Sequence, residues 1–194
     1  IILIEPQMGE NIGAAARAML NCGLTDLRIV NPRDGWPNER ADAMSSGALA
    51  IMPPVQVFTS TEAAVADLQY VYATTARPRD MIKPVFTARG AAENIKAQAG
   101  QKTGYLFGPE RAGLSNDDVA LAHAIITIPM NPDFSSLNLG QGVLLCAYEW
   151  FQAMDDTPAM INNADDAPAP HAELNEMFER LETELAAGGF FRTQ

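Results

Sequence analysis

Short apolar runs alternate with helical patterns along most of this chain, and that alternation restricts the fold more than any other feature. Ile1–Glu5, Leu27–Asn31, Val55–Phe58, Tyr70–Thr74, Gly104–Phe107 and Ala124–Ile128 read as strands, several of them β-branched or aromatic and buried on both faces. Helical patterns occupy Glu10–Cys22, Arg40–Ala50, Thr61–Asp67, Ala88–Ala99, Asn116–His123 and Asn138–Met154. Strand–helix alternation of this kind predicts an α/β domain: a mostly parallel sheet with helices on both faces. Hydrophobic residues make up 47% of the 194, enough to fill such a core.

The pattern stops after Met154. Residues 155–170 carry Asp-Asp twice, three prolines and Asn-Asn without periodicity, and read as a linker. Residues 171–194 form a helical extension. Leu174, Met177, Phe178, Leu181 and Leu185 make one apolar stripe there, stopped by Gly188-Gly189. Such a stripe needs cover, from its own domain or from a second subunit. The expected organisation is therefore 1–154, 155–170 and 171–194.

No run of 18 apolar residues occurs, so a membrane span is not expected. The opening Ile1-Ile2-Leu3-Ile4 is too short for a signal peptide and lacks a basic leader; starting on a strand, it suggests that a few residues precede it. Cys22 and Cys146 sit in helical apolar patterns without metal-type spacing. They read as core thiols and fit a reducing cytoplasm.

A net charge of −11 argues at first against a nucleic-acid partner. Yet residues from Asp155 onward hold nine acids and two bases, whereas residues 1–154 hold 15 acids and 11 bases. In the main body Arg28, Arg33 and Arg40, then Arg77, Arg79 and Lys83, follow predicted strands. They are either solvated loop charges or a phosphate-facing rim.

Several chemistries drop out. His123 and His171, at helix ends, are the only histidines, which leaves little for a His general base, a catalytic triad or a His-rich zinc site. Neither GxGxxG nor GxxxxGK[ST] is present. Three segments instead place glycine, proline and polar residues beside apolar strands. In Gly9–Ala18, Asn11 is positioned to cap a helix, Gly13 and the alanines make it thin, and Arg17 lies one turn beyond Gly13. Its guanidinium offers a planar fork to phosphate or ribose oxygen; the alternative is a tightly packed helix with a surface arginine. In Leu106–Ser115, Gly108 admits a ligand close to backbone and Glu110 sets a carboxylate at the carboxyl edge of the sheet, where open α/β folds bind ligands. Ser115 and Asp118 resemble a capping box. In Ile128–Gly142, Ser135, Ser136 and Asn138 crowd a helix start, and Met130, Phe134 and Leu137 offer an apolar wall for a purine.

Taken in order, N-x-G-x-x-x-R from Asn11, F-G-P-E-R-x-G-L-S from Phe107 and I-P-M-N-P-x-x-x-S-L-N-L-G from Ile128 resemble the three motifs of the SPOUT (TrmH/SpoU superfamily) RNA 2′-O-methyltransferases over residues 1–154. The Ser135–Leu139 version and the tail ending in Gly-Phe look most like the TrmJ branch. The resemblance implies a deep trefoil knot in the carboxyl-terminal part of the domain. S-adenosyl-L-methionine would be held by Thr74, Thr75, Ala76, Gly108, Ile128, Met130, Ser135, Ser136 and Leu137. Arg17 would match the catalytic arginine, with Asn11, Glu110, Ser136 and Asn138 as supporting polar positions. It further implies tRNA as substrate, methylated on the ribose of anticodon-loop nucleotide 32 (cytidine or uridine), and a homodimer with the 138–154 helix in its interface. No metal or membrane is implied. An arginine loses its proton only above about pH 12, so Arg17 is expected to orient the ribose and stabilise negative charge rather than act as a base. The alternatives are ribosomal RNA or another tRNA site as target, and a non-catalytic regulator that binds S-adenosyl-L-methionine or a nucleotide on the same scaffold.

Overall fold

A computed structural model describes residues 1–75, 82–98, 100–158 and 169–191. Among these residues seven strands, β1 (Ile2–Ile4), β2 (Arg28–Val30), β3 (Gln56–Phe58), β4 (Tyr70–Thr74), β5 (Val85–Thr87), β6 (Thr103–Phe107) and β7 (Ala124–Thr127), form one sheet. Its order is β3-β2-β1-β6-β4-β7-β5, and every pairing is parallel. The register is continuous through the centre, with Leu3 beside Ile29 and Phe107, and Ala73 beside Leu106 and Ile125. The two last strands in sequence, β6 and β7, both lie inside this order, each flanked by strands formed earlier in the chain.

The period-two geometry of the strands divides their side chains between two cores. Leu3, Ile29, Tyr72, Tyr105, Phe107 and Ile126 face one side. There they meet α1 (Gly9–Asn21), α2 (Glu39–Met44), α5 (Ala88–Ala97) and α7 (Leu139–Met154). Ile2, Ile4, Val30, Val71, Ala73, Leu106 and Ile125 face the other, against α4 (Thr61–Val65) and α6 (Asn116–Leu121). Burial of each large aliphatic contributes about 1.5–3 kcal/mol, which explains why strands only three to five residues long hold together. The parallel, two-sided α/β architecture matches the expectation.

Several local expectations are corrected. The helix expected over Arg40–Ala50 is two, α2 and α3 (Ala48–Ile51), because Ser46 (φ 51°) and Gly47 (φ 86°) turn left-handed between them. Strand β5 was missing from the pattern: it spans three residues at the sheet edge, with Val85 and Thr87 exposed and Phe86 half-buried. Asn11 does not cap α1. The helix starts earlier, at Gly9 after Met8, whose carbonyl accepts from Asn11 N and Ile12 N. Arg28 belongs to no rim. It opens β2 at the amino end of the sheet, buried, and bonds Asp26, Asp67 and the Ala64 carbonyl. Lys83 donates to the Ala120 carbonyl at 3.0 Å and to the Ala122 carbonyl, closing the end of α6. Arg77 and Arg79 lie outside the described residues.

The chain divides into two compact units, Ile1–Asp156 and Thr157–Gln194. The described part of the second holds α8 (His171–Ala187), ended by Gly188 and by Gly189 at φ 70°. Along its apolar stripe Leu174 and Leu185 are half-buried, while Met177, Phe178 and Leu181 are exposed. Most of the expected linker, residues 159–168, lies outside the described residues.

Candidate active site

Three neighbouring central strands, β6, β4 and β7, end side by side, and their carboxyl ends open onto a cavity of about 550 Å³. Thr74 and Thr75 line it from the end of β4, residues 107–113 from β6, residues 126–130 from β7, and residues 135–139 from the approach to α7. This is the edge where parallel sheets collect ligands, since strand carboxyl ends and helix starts converge there.

Local chemistry shapes each wall. Thr74 Oγ1 donates to the Leu106 carbonyl at 2.7 Å, tying β4 to β6 just below the cavity. Gly108 is required by close approach. A Cβ there would stand 2.2 Å from Leu114 N, because the Pro109–Gly113 turn, closed by Gly113 N to Pro109 O at 2.8 Å, folds back over it. Beyond β7, Asn131 Oδ1 accepts from Asp133 N at 3.0 Å and forms a tight turn. Asn138 then caps α7: its Oδ1 accepts from Gly140 N at 2.8 Å, and Gln141 Oε1 accepts from Asn138 N at 3.1 Å.

A polar chain links three of the candidate residues. Asn138 Nδ2 donates to Asn11 Oδ1 at 2.8 Å, and Asn11 Nδ2 donates to Glu110 Oε1 at 2.6 Å. Glu110 Oε2 accepts from the Gln7 backbone N–H at 2.9 Å. Residues about 100 positions apart are thereby locked into one orientation, with the start of α1 fastened to the cavity wall. Each residue in the chain has its amide or carboxylate committed, the arrangement that rigidifies a polar site.

Of the expected cofactor-site residues, Thr74, Thr75, Gly108, Ile128, Met130, Ser135, Ser136 and Leu137 all line the cavity. Ala76 lies outside the described residues. Glu110, Ser136 and Asn138 line it too. Asn11 does not, yet it bonds two residues that do. Arg17 does not line it either: it is exposed on α1, and its Nη1 donates to Ser46 Oγ at 3.0 Å. Sequence reasoning missed the Gln7 backbone N–H, Arg111 and Ser46. Gln7 and Ser46 carry no local signal, whereas Arg111 stands inside a motif already marked.

Buried titratable groups in the sheet offer no rival chemistry. Burial pushes the Cys146 thiol up to about 12 and the Tyr72 hydroxyl to about 12, and drives Tyr105 higher still. Near neutral pH all three are protonated, so none is a ready nucleophile or base. His123 sits at the amino end of β4, where Nδ1 accepts from Val71 N at 3.1 Å and the ring stacks on Tyr70. Among the described residues no group of His, Cys, Asp and Glu could hold a metal ion, and no helix is long and apolar enough to cross a membrane.

Comparison with known proteins points the same way. The sequence model of the SpoU rRNA Methylase family matches residues 1–148. An uncharacterized tRNA/rRNA methyltransferase of Haemophilus influenzae is 42% identical over 149 residues; the match spans 77% of this chain and 61% of that protein. The tRNA (cytidine/uridine-2′-O-)-methyltransferase TrmJ of Yersinia pestis is 34% identical, over 99% of this chain and 76% of that one. The crystal structure of TrmJ from Z. mobilis superposes with a TM-score of 0.74 at 53% identity, covering 99% of this chain and 81% of that one. The methyltransferase AviRb from Streptomyces viridochromogenes, solved with AdoMet, shares the fold (TM-score 0.64) at 22% identity, over 79% of this chain and 59% of that one.

Proposed function

This chain belongs to the SpoU rRNA methylase family, and on that premise we propose that it methylates the ribose 2′-hydroxyl of tRNA from S-adenosyl-L-methionine, at nucleotide 32 of the anticodon loop. The observation that carries the reading is the cavity at the ends of β6, β4 and β7 together with the Asn11–Glu110–Asn138 chain at its wall.

The cavity suits such a cofactor. Its volume lies within the range that encloses ligands of that size. Ile128, Met130 and Leu137 supply apolar surface for an adenine, and Thr74, Thr75, Ser135 and Ser136 supply polar groups for a ribose and an amino-acid tail. Bound there, S-adenosyl-L-methionine supplies an electrophilic methyl group on a sulfonium. The protein's own task is alignment and exclusion of water. Glu110 and Asn138 hold Asn11, and thereby the start of α1, against the cavity. Arg17, six residues further along that helix and exposed, is then available to the RNA from the solvent side. It orients the ribose and, with an RNA phosphate, stabilises the negative charge that grows on the attacking oxygen.

The trefoil knot and the homodimer belong to the same reading. Insertion of β6 and β7 inside the strand order supports the first. The exposed α7 residues Leu144, Leu145, Tyr148, Phe151 and Met154 support the second, since an apolar row of that length on one helix calls for a partner.

The test is mass-spectrometric mapping of tRNA incubated with the protein and S-adenosyl-L-methionine. A ribose methyl at nucleotide 32 is expected. Methylation confined to ribosomal RNA transcripts would overturn the substrate, and cofactor binding without transfer to any RNA would overturn the activity. Arg17→Ala should lose transfer while keeping cofactor affinity.

A further inference from the structure

Arg17 is anchored by a residue that no motif marks. Its Nη1 donates to the hydroxyl of Ser46 at 3.0 Å, across 29 positions of sequence. Ser46 lies between α2 and α3 at φ 51°, the left-handed region, followed by Gly47 at φ 86°. A residue with a Cβ is disfavoured there, and glycine or asparagine would adopt the turn more readily. The hydroxyl is not needed to build the turn either. Ser45, buried, does that work: its Oγ donates to the Asp42 carbonyl at 2.8 Å and its amide to the Ala41 carbonyl at 2.9 Å. At 46 a strained backbone and a side-chain hydroxyl coincide, and the hydroxyl's bond goes to Arg17.

The contact is also geometrically determined. Gly13 lies one turn before Arg17 on α1. A Cβ on it would stand 2.2 Å from the Ala41 carbonyl oxygen and 2.9 Å from Ser45 N. Only glycine permits α2 to press its last turn against α1 at that point, and the press sets Ser46 over Arg17.

We propose that Ser46 is a positioning residue for Arg17, holding the guanidinium in the orientation it presents to the RNA ribose. This rests on Arg17 being the substrate-contacting group of the proposed function. Strained conformations persist where the surrounding structure imposes them, and they gather at functional sites. Among the described residues three non-glycine positions have positive φ, Glu5, Asn31 and Ser46, and the side chain of Ser46 meets the arginine.

Two variants separate positioning from folding. Ser46→Gly deletes the acceptor and relieves the left-handed backbone, so its Tm should equal or exceed that of the parent. Ser46→Asn also tolerates the left-handed region and returns an acceptor oxygen. For Ser46→Gly, kcat for tRNA methylation should fall about tenfold, a typical consequence of losing a charge-assisted hydrogen bond. KM for S-adenosyl-L-methionine should not change, and Ser46→Asn should restore most of the rate. The heteronuclear NOE of the Arg17 Nε–H should drop in Ser46→Gly and recover in Ser46→Asn. Parental kcat in Ser46→Gly, or a fallen kcat with an unchanged NOE, would overturn the proposal. If even the parent transfers no methyl group to tRNA, the proposed function fails instead. The NOE alone then decides: a drop in Ser46→Gly upholds the anchoring of Arg17, and no drop rejects it.

Discussion

The two ends of the sheet each carry a polar cluster, and they are built to opposite purposes. At the amino end Arg28, buried, is surrounded by Asp26, Asp67 and the Ala64 carbonyl, and lines no part of the cavity at the opposite end. At the carboxyl end Asn11, Glu110 and Asn138 form a chain whose members border a cavity of about 550 Å³. The first cluster holds charges that satisfy one another. The second keeps a single carboxylate engaged by neutral donors, so that the wall is rigid while the space beside it stays open. Charged residues near strand ends are thus informative only once it is known which end they occupy.

Removing Glu110 should break this division most visibly. Glu110→Ala releases both Asn11 and the Gln7 backbone N–H, and kcat for tRNA methylation should fall by about a hundredfold, the scale of losing a preorganised group beside a reacting centre. Single-turnover transfer of labelled methyl groups measures it. Arg28→Met should do the reverse: urea unfolding should show a loss of about 2 kcal/mol, with kcat per folded molecule unchanged. Its partners are about half exposed, so the loss is smaller than for a fully enclosed ion pair. An equal effect of both variants on both measurements would erase the contrast between the two ends. Asn138 sharpens it within one residue, since its Oδ1 caps α7 and its Nδ2 holds Asn11. Asn138→Ser keeps a cap but loses the bond to Asn11, and should lower kcat; Asn138→Ala loses both and should cost about 1 kcal/mol more in stability than Asn138→Ser.

The contrast also explains what could be read in advance. The sheet was legible because its central strands are apolar on both faces, and the cavity because Gly108-Pro109-Glu110 and Ser135–Asn138 interrupt apolar strands with residues a plain turn does not need. Strand β5 is not legible because three residues, two of them exposed, are too short a run to carry a period. The break between α2 and α3 escaped because Met44-Ser45-Ser46 continues a helical pattern until the left-handed backbone at Ser46 ends it. Arg28 was grouped with Arg33 and Arg40 because proximity to a strand in sequence does not say which end of the strand is meant. Ser46 was out of reach for a different reason: its meeting with Arg17 depends on two helices touching at Gly13, which no local pattern records.

The smallest expected effect lies at the amino end. The hydrogen bond from Arg28, reinforced by that guanidinium's charge and a bond from Lys102, holds the Asp67 carboxyl down at about 2, below its ordinary value of 3.8. A carboxyl depressed on folding adds stability while it is ionised in both states. That contribution is complete above the unfolded value and disappears as pH falls through the folded one. Asp67→Asn should therefore be less stable than the parent at pH 7, and the gap should shrink between about pH 4 and pH 2. With the Asp67 side chain 47% exposed, solvent screening limits the gap to about 1 kcal/mol or less. Urea midpoints at pH 7, 4 and 2 measure it. A gap undiminished between pH 7 and pH 2 would mean that Asp67 supports the fold through packing rather than charge, and the amino-end cluster would then lose the self-satisfied ionic character that sets it apart from the carboxyl end.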